Sequence, residues 1–98
     1  MVIDKHHPSL DGHFPGNPVV PGVVILDQVM HLWQVENRQT INKILHTKFI
    51  HPLHSEIICN IQYTPKTQQE INFIVTLSNE QEETLPTIIC KGLFSYDE

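Results

Sequence analysis

A proline- and glycine-rich loop that leads directly into an apolar segment is the feature that most constrains this chain. Positions 13–22 read HFPGNPVVPG, with three prolines and two glycines in ten residues. Because proline fixes its own φ angle and glycine supplies conformations that other residues avoid, much of the loop is set before tertiary contacts form. The pattern predicts a rigid loop that holds His13 accurately for acid–base chemistry. A rigid connector with an incidental histidine would explain the same residues.

The residues after the loop predict an amphipathic helix over 22–36. Pro21 suits its first turn, where the missing N–H of proline costs nothing. One broad apolar face is formed by Ile25, Leu26, Val29, Leu32 and Trp33, with Met30 at its margin. Another face, at the spacing i, i+4 and i+7, carries Asp27, His31 and Gln34. Val23 and Val24 make the first turn apolar almost all round, which predicts a helix start buried inside the fold.

Four apolar, β-branched segments follow the helix and predict strands. They lie at 41–50, 55–63, 70–77 and 87–95. A turn-like link at 51–54 separates the first two, and a polar run at 78–83 separates the last two. Short links between successive strands predict antiparallel neighbours. One helix followed by four such strands predicts a single α+β domain over residues 1–98, with a curved antiparallel sheet wrapped around a central helix.

Composition excludes several classes of protein. Six basic and eleven acidic residues give a formal net charge of −5, which argues against a nucleic-acid surface. No apolar run approaches the roughly 20 residues needed to span a bilayer, and the first residues lack the apolar core of a signal peptide. Cys59 and Cys90 lie in apolar segments, so we expect buried free thiols and a cytoplasmic protein.

Seven histidines raise the question of a metal site. They include no His-Glu-x-x-His pattern and have no Cys-x-x-Cys partner set, so we expect neither a metal nor another cofactor. His51 and His54 flank the predicted turn at 51–54, and we expect both to be solvated.

The run from His13 to Asp27 resembles the signature of the 3-hydroxyacyl-acyl-carrier-protein dehydratases of the hot-dog superfamily. The shared pattern is His-Phe-Pro-Gly-x-Pro-Val-x-Pro-Gly-Val-x-x-Leu followed by Asp or Glu. The family's catalytic histidine and carboxylate lie fourteen positions apart, as His13 and Asp27 do (27 − 13 = 14). The segment 48–53, KFIHPL, is similar to a second family element, Lys-Phe-x-x-Pro-Val at a strand end. The resemblance covers most of residues 8–96 and implies a hot-dog fold.

The resemblance also implies an activity, the dehydration of a 3-hydroxyacyl thioester on acyl carrier protein to the trans-2-enoyl thioester. His13 would remove the proton alpha to the carbonyl, and Asp27 would protonate the departing hydroxyl if burial raises its pKa. The Gly22 amide would polarise the thioester carbonyl, because positions 20–22 offer no Ser, Thr, Asp or Asn side chain to cap the helix. Further substrate contacts are expected from Phe14, Pro21 and Val23.

Three departures from the family pattern affect the fold and the site. Family members usually have a first helix and strand ahead of the loop, so we expect an open sheet edge unless residues 1–7 pair there. The link after Pro52 is tighter than the family's usual turn. His31 stands where the family usually has glutamine. We favour a solvated or core position for its side chain over a role beside the carboxylate.

Two other functions remain open at this point. A hot-dog acyl thioesterase would act on the same class of substrate, and a non-catalytic acyl-binding subunit would keep the fold without turnover.

In the family the histidine and carboxylate of one site come from different subunits, so we expect a homodimer in which His13 meets the partner's carboxylate.

Docking of an acidic carrier protein would need a local basic patch, since the chain is itself acidic. The basic residues that could supply it are Lys5, Arg38, Lys43, Lys48, Lys66 and Lys91. The sequence does not say which of them cluster in space.

Overall fold

The computed structural model describes residues 1–3, 19–78 and 86–97 of the 98-residue chain, which form one helix and four strands. The elements are α1 (Gly22–Asn37), β1 (Thr40–Phe49), β2 (Cys59–Pro65), β3 (Glu70–Leu77) and β4 (Ile88–Asp97). The predicted helix and all four predicted strands are therefore present, and the α+β class is confirmed. Within the described ranges no helix has the length and apolar character needed to cross a bilayer.

The four strands form one antiparallel sheet in the order β1-β4-β3-β2. The expectation that successive strands are neighbours is correct for β2–β3 and β3–β4. It is wrong for β1 and β2, which form opposite edges of the sheet. The segment between them is not a tight turn: the N–H groups of Ile50 and His51 donate to Ile89 O on β4 at 2.8 and 3.2 Å. The chain then bonds to the loop before α1, where Val20 N donates to Leu53 O at 2.7 Å.

The second strand begins four residues later than predicted, at Cys59 rather than at 55. Glu56 adopts φ 65°, a left-handed conformation that an extended strand cannot contain, and residues 55–56 form a turn. The β-branched residues Ile57 and Ile58 precede the strand, although Ile58 O accepts from Ser78 N at 3.0 Å. Composition alone therefore overestimates the length of this strand.

The core lies between one face of α1 and the inner face of the sheet. The buried helix residues are Val24, Ile25, Val29 and Trp33, and the buried sheet residues around them include Cys59, Ile71, Phe73, Val75, Cys90 and Phe94. Trp33 meets Phe94 edge-on with ring centroids 5.1 Å apart, and its centroid lies 4.9 Å from that of Tyr96. The predicted apolar face thus forms the core, except that Leu32 is exposed.

The first turn of α1 is not buried as predicted. Val24 and Ile25 lie in the core, but Val23 is 72% exposed. The reason is geometric, since the sheet covers one side of the helix and Val23 projects from the other.

Residues 1–3 pair beside the start of β2, at one edge of the sheet. Met1 and Cys59 exchange two hydrogen bonds of 2.7 Å, and Glu56 N donates to Ile3 O at 2.8 Å. Ile3 is buried in the core. Of the two alternatives that the sequence left open, an open edge or pairing by residues 1–7, the structure therefore shows pairing by residues 1–3, while residues 4–7 lie outside the described ranges.

Candidate active site

A mostly apolar groove of about 480 Å³ opens at the start of α1. Three segments meet there: the end of the loop before α1, the first turn of α1, and the end of β1 with the residues that follow it. The lining residues are Val19, Val20, Gly22, Ile25, Phe49, Ile50, His51, Pro52 and Leu53. The hydrogen bond from Val20 N to Leu53 O and the bridge between Val19 and His54 hold the segments together. Such a lining suits a hydrocarbon chain better than a charged ligand.

The helix start at this groove carries open backbone donors. The residue preceding the helix is Pro21, and no side chain among the described residues caps the first turn. The N–H groups of Val24 and Ile25 donate to Pro21 O at 3.0 and 3.4 Å. Within the described ranges, the N–H groups of Gly22 and Val23 have no such partner. Two N–H groups at the positive end of the helix dipole can stabilise an oxyanion.

Gly22 lies in close contact with the ring of Phe49. A Cβ atom at Gly22 would stand 2.6 Å from Phe49 Cζ, and real carbon atoms do not approach that closely. The absence of a side chain at Gly22 therefore lets the ring cover the helix start. Phe49 is 48% exposed and also lines the groove, so this contact covers only part of the ring.

Asp27 lies one turn beyond Val23 on the exposed side of α1. The expectation that the apolar first turn buries this carboxylate is wrong for the single chain, because the sheet covers only the opposite side of the helix. His13 and Phe14 lie outside the described residues. Of the predicted site residues, the structure therefore brings Pro21, Gly22 and Val23 together at the helix start.

The other histidines near the helix and the groove differ in their surroundings. His31 is exposed, as favoured, and lines a second groove between α1 and the start of β2. His51 is exposed, with Nδ1 2.6 Å from Pro52 O. Because a carbonyl only accepts, Nδ1 carries the proton in this contact. His54 is half-buried, so the expectation of a solvated side chain is wrong for it.

The buried titratable groups lie in the core and not in the groove. Burial, with a smaller contribution from the negative charge of Glu36, raises the pKa of Tyr63 to about 12. The Tyr63 hydroxyl donates to Val29 O at 2.5 Å and so ties β2 to the helix. Cys59 and Cys90 are buried free thiols, as predicted. Burial raises the pKa of both, to about 11 for Cys90.

Comparison with solved structures defines the class of the fold. The dehydratase heterocomplex ApeI:P from Xenorhabdus doucetiae includes a chain that matches with a TM-score of 0.76 and 22% identity, over 100% of this chain and 83% of that one. An uncharacterized protein from Erwinia carotovora subsp. atroseptica matches with a TM-score of 0.76 and 23% identity, over 98% and 77% of the two chains. One helix on a four-stranded antiparallel sheet is thus a hot-dog fold, as the motif predicted.

The sequence comparison identifies the family within that class. The profile of the ApeI-like family, described as ApeI dehydratase, matches residues 1–86. The chain belongs to this family and is a dehydratase of the hot-dog type. A search of curated proteins finds no match to it.

The groove contains residues that the sequence interpretation left unassigned. Among the described aromatic residues, Trp33, Phe73 and Phe94 lie in the core, whereas Phe49 lines the groove. Ile50, His51 and Leu53 lie beside it. The sequence feature that could have identified these residues is the segment 48–53. Its resemblance to a family element predicted a strand end but gave no reason to place that strand end against the helix start.

Proposed function

We propose that this protein dehydrates a 3-hydroxyacyl thioester carried on acyl carrier protein to the trans-2-enoyl thioester. The observation that carries the proposal is the uncapped start of α1, where the open N–H of Gly22 lies in an apolar groove. An acyl thioester needs both parts of that arrangement. Its hydrocarbon chain requires an apolar groove, and its carbonyl oxygen requires a donor when the neighbouring carbon loses a proton.

The reaction divides between two side chains and the helix start. His13 takes the proton from the carbon alpha to the carbonyl, and the electron pair moves toward the thioester oxygen, which Gly22 N–H stabilises. The pair then forms the double bond as the C–O bond at the β carbon breaks. Asp27 in its protonated form gives the proton that turns the departing hydroxyl into water. The proton held by His13 returns to Asp27 before the next turnover, so the net change is loss of one water.

The exposure of Asp27 supports a site completed by a second subunit. A carboxyl group that donates a proton at neutral pH needs surroundings shielded from bulk water. The exposed side of α1 also carries Val23 and Val35, which are 72% and 64% exposed. We propose that a partner subunit covers this side and brings its own histidine to Asp27. The partner is a second copy of the chain or a related hot-dog chain, and the solved ApeI neighbour is itself described as a heterocomplex.

Incubation with a 3-hydroxyacyl acyl carrier protein tests the activity directly. Mass spectrometry of the carrier after reaction should detect a loss of one water from the acyl group. Release of free acid would instead identify a thioesterase, and tight binding without product would identify an acyl-binding subunit. Both of these outcomes would overturn the proposal.

Subunit mixing tests the shared site. We expect His13→Ala and Asp27→Asn proteins to be inactive alone and to regain activity once their subunits exchange, because one site then holds both native groups. Light scattering should report a dimer or a larger even assembly for the homo-oligomer. Absence of recovery after verified exchange would overturn the shared site and leave the dehydratase proposal to the first experiment.

A further inference from the structure

Two lysines lie directly opposite each other on adjacent strands of the sheet. The register of β1 and β4 pairs Lys48 with Lys91. Opposed residues in an antiparallel pair have Cβ atoms about 5 Å apart and share one face of the sheet. Lys91 stands between the buried residues Cys90 and Gly92, so its side chain lies on the outer face, away from α1. Both lysines are exposed.

This lysine pair has no acidic partner within the described part of the chain. Neither side chain forms a salt bridge there. The nearest strand carboxylate on the outer face is that of Glu70, which lies in the cross-strand row of Ser95 and Lys43. That row is four residues along β4 from Lys91, about 13 Å away at the rise of a strand. Lys43 thus shares a row with a carboxylate, whereas the row of Lys48 and Lys91 continues to Ile74 on β3 and holds no carboxylate on these three strands.

An ordinary structural role does not account for both lysines. Like charges directly opposite each other destabilise a sheet. Lysine on an edge strand can prevent the edges of two sheets from associating, and this role explains Lys48 on β1. The same role does not explain Lys91, because β4 is a central strand. A chain with net charge −5 places two of its six basic residues where they repel each other, which indicates an external anionic partner.

The lysine pair lies at the end of the sheet that carries the groove. Lys48 immediately precedes Phe49, which contacts Gly22 at the start of α1. Phe49 is paired with Cys90, the neighbour of Lys91. An anionic partner held by the pair would therefore sit beside the groove that receives the thioester.

We infer that Lys48 and Lys91 form a docking site for the acidic protein surface of the acyl carrier. The inference rests on the proposed function, since a carrier protein is the partner that delivers a tethered thioester to the groove. The pair supplies local positive charge on a chain whose overall charge repels an acidic protein. Its contribution is to the encounter and residence of the carrier and not to the chemical step.

Carrier binding should separate this pair from other lysines. The variants are Lys48→Gln, Lys91→Gln and their double variant, with Lys66→Gln as the control. Lys66 follows β2 at the opposite edge of the sheet, and its substitution removes the same charge. With purified acyl carrier protein as the probe, we expect each single variant to raise Kd about three- to tenfold and the control to change it less than twofold. A double variant that binds as tightly as the control would overturn the inference.

Two further measurements separate the inference from the proposed activity. The small thioester N-acetylcysteamine substrate should be turned over equally by wild type and the double variant, whereas kcat/KM for the carrier-bound substrate should fall with Kd. Failure of wild type to dehydrate either substrate would overturn the proposed function, while the binding comparison would still decide on the docking site.

Negative charge on the carrier comes from its acidic protein surface and from the phosphodiester of its phosphopantetheine arm. Carrier protein without the arm distinguishes these two sources. We expect the lysine variants to weaken binding of this form as well, because the pair contacts the protein surface. A loss confined to the form that bears the arm would assign the pair to its phosphodiester and overturn the inference as stated.

Discussion

The ring of Phe49, the last residue of β1, lies against Gly22, the first residue of α1. This contact joins the edge of the sheet to the helix end whose N–H groups are open. It requires that Gly22 have no side chain. Both residues line the groove.

We expect Gly22→Ala to lower kcat/KM by about ten- to a hundredfold, because the added methyl pushes the ring of Phe49 and shifts the N–H donor. Stability should change little, since the half-exposed ring can move. The matched test is a double-mutant cycle with Phe49→Ala, measured by enoyl product formation. The cost of the alanine at 22 should shrink in the Phe49→Ala background. An equal cost in both backgrounds would contradict the role of this contact.

His13→Ala should lower the rate of dehydration by about a hundred- to ten-thousandfold, the usual contribution of a general base. The motif from residue 13 to residue 27 contains no second imidazole that could replace it. Circular dichroism provides the control for an intact fold. Activity within a few-fold of wild type would remove His13 from the mechanism.

Substitutions at Asp27 should separate the carboxyl group from its position. Asp27→Asn should be severely impaired because an amide has no acidic proton, while Asp27→Glu should keep measurable activity because it retains the carboxyl group. Both variants should keep the fold, because Asp27 lies outside the core between α1 and the sheet. Paired kinetics and urea unfolding would check this. Equal activity of the two variants would contradict proton donation by Asp27.

Gly92→Ala should destabilise the fold by about 1–3 kcal/mol or more. A Cβ at Gly92 would collide with the backbone oxygen of His46 on β1 and stand 2.7 Å from Phe73 Cζ on β3. Unlike the ring beside Gly22, a strand backbone cannot move aside without breaking the sheet. Urea unfolding should show the loss, and Lys91→Ala at the neighbouring exposed position should stay within about 0.5 kcal/mol of wild type.

Stability should fall as the pH rises above about 9, the ordinary pKa of a cysteine thiol. Burial, and to a lesser extent the nearby Cys59, raises the pKa of Cys90 to about 11. Between these values the unfolded chain releases the thiol proton while the folded chain keeps it, so rising pH favours unfolding. Urea unfolding at pH 7.5 and pH 10 should show a smaller decrease for Cys90→Ala than for wild type. The native thiols should also resist modification at pH 7.5.

The helix could be predicted closely from the sequence because its signals are local. Pro21 and the apolar spacing from Ile25 to Trp33 specify where α1 begins and which face is buried, and the structure differs by one residue at its end. The end depends on Arg38, whose left-handed φ of 55° is not a preference of arginine. The N–H of Arg38 donates to Gln34 O at 2.8 Å, and Gln34 Oε1 accepts from Ile41 N at 2.8 Å. These contacts fix the turn into β1.

Strand order and exposure could not be predicted from the sequence, because both depend on long-range pairing. Spacing suggested that β1 and β2 are neighbours, yet β4 inserts against β1 and leaves the two at opposite edges. Val23 and Asp27 are exposed because the sheet covers the other side of α1. The local sequence pattern does not indicate which side of the helix the sheet covers.

The sequence by itself determined the uncapped helix start, the fourteen-residue separation of His13 and Asp27, and the four strand segments, because these are properties of neighbouring residues. Only the tertiary structure decided that Phe49 meets Gly22, and that Lys48 and Lys91 stand opposite each other. The members of these pairs are separated by 27 and 43 positions, respectively (49 − 22 and 91 − 48). Register and sheet order, which arise when the whole sheet closes on the helix, bring them together.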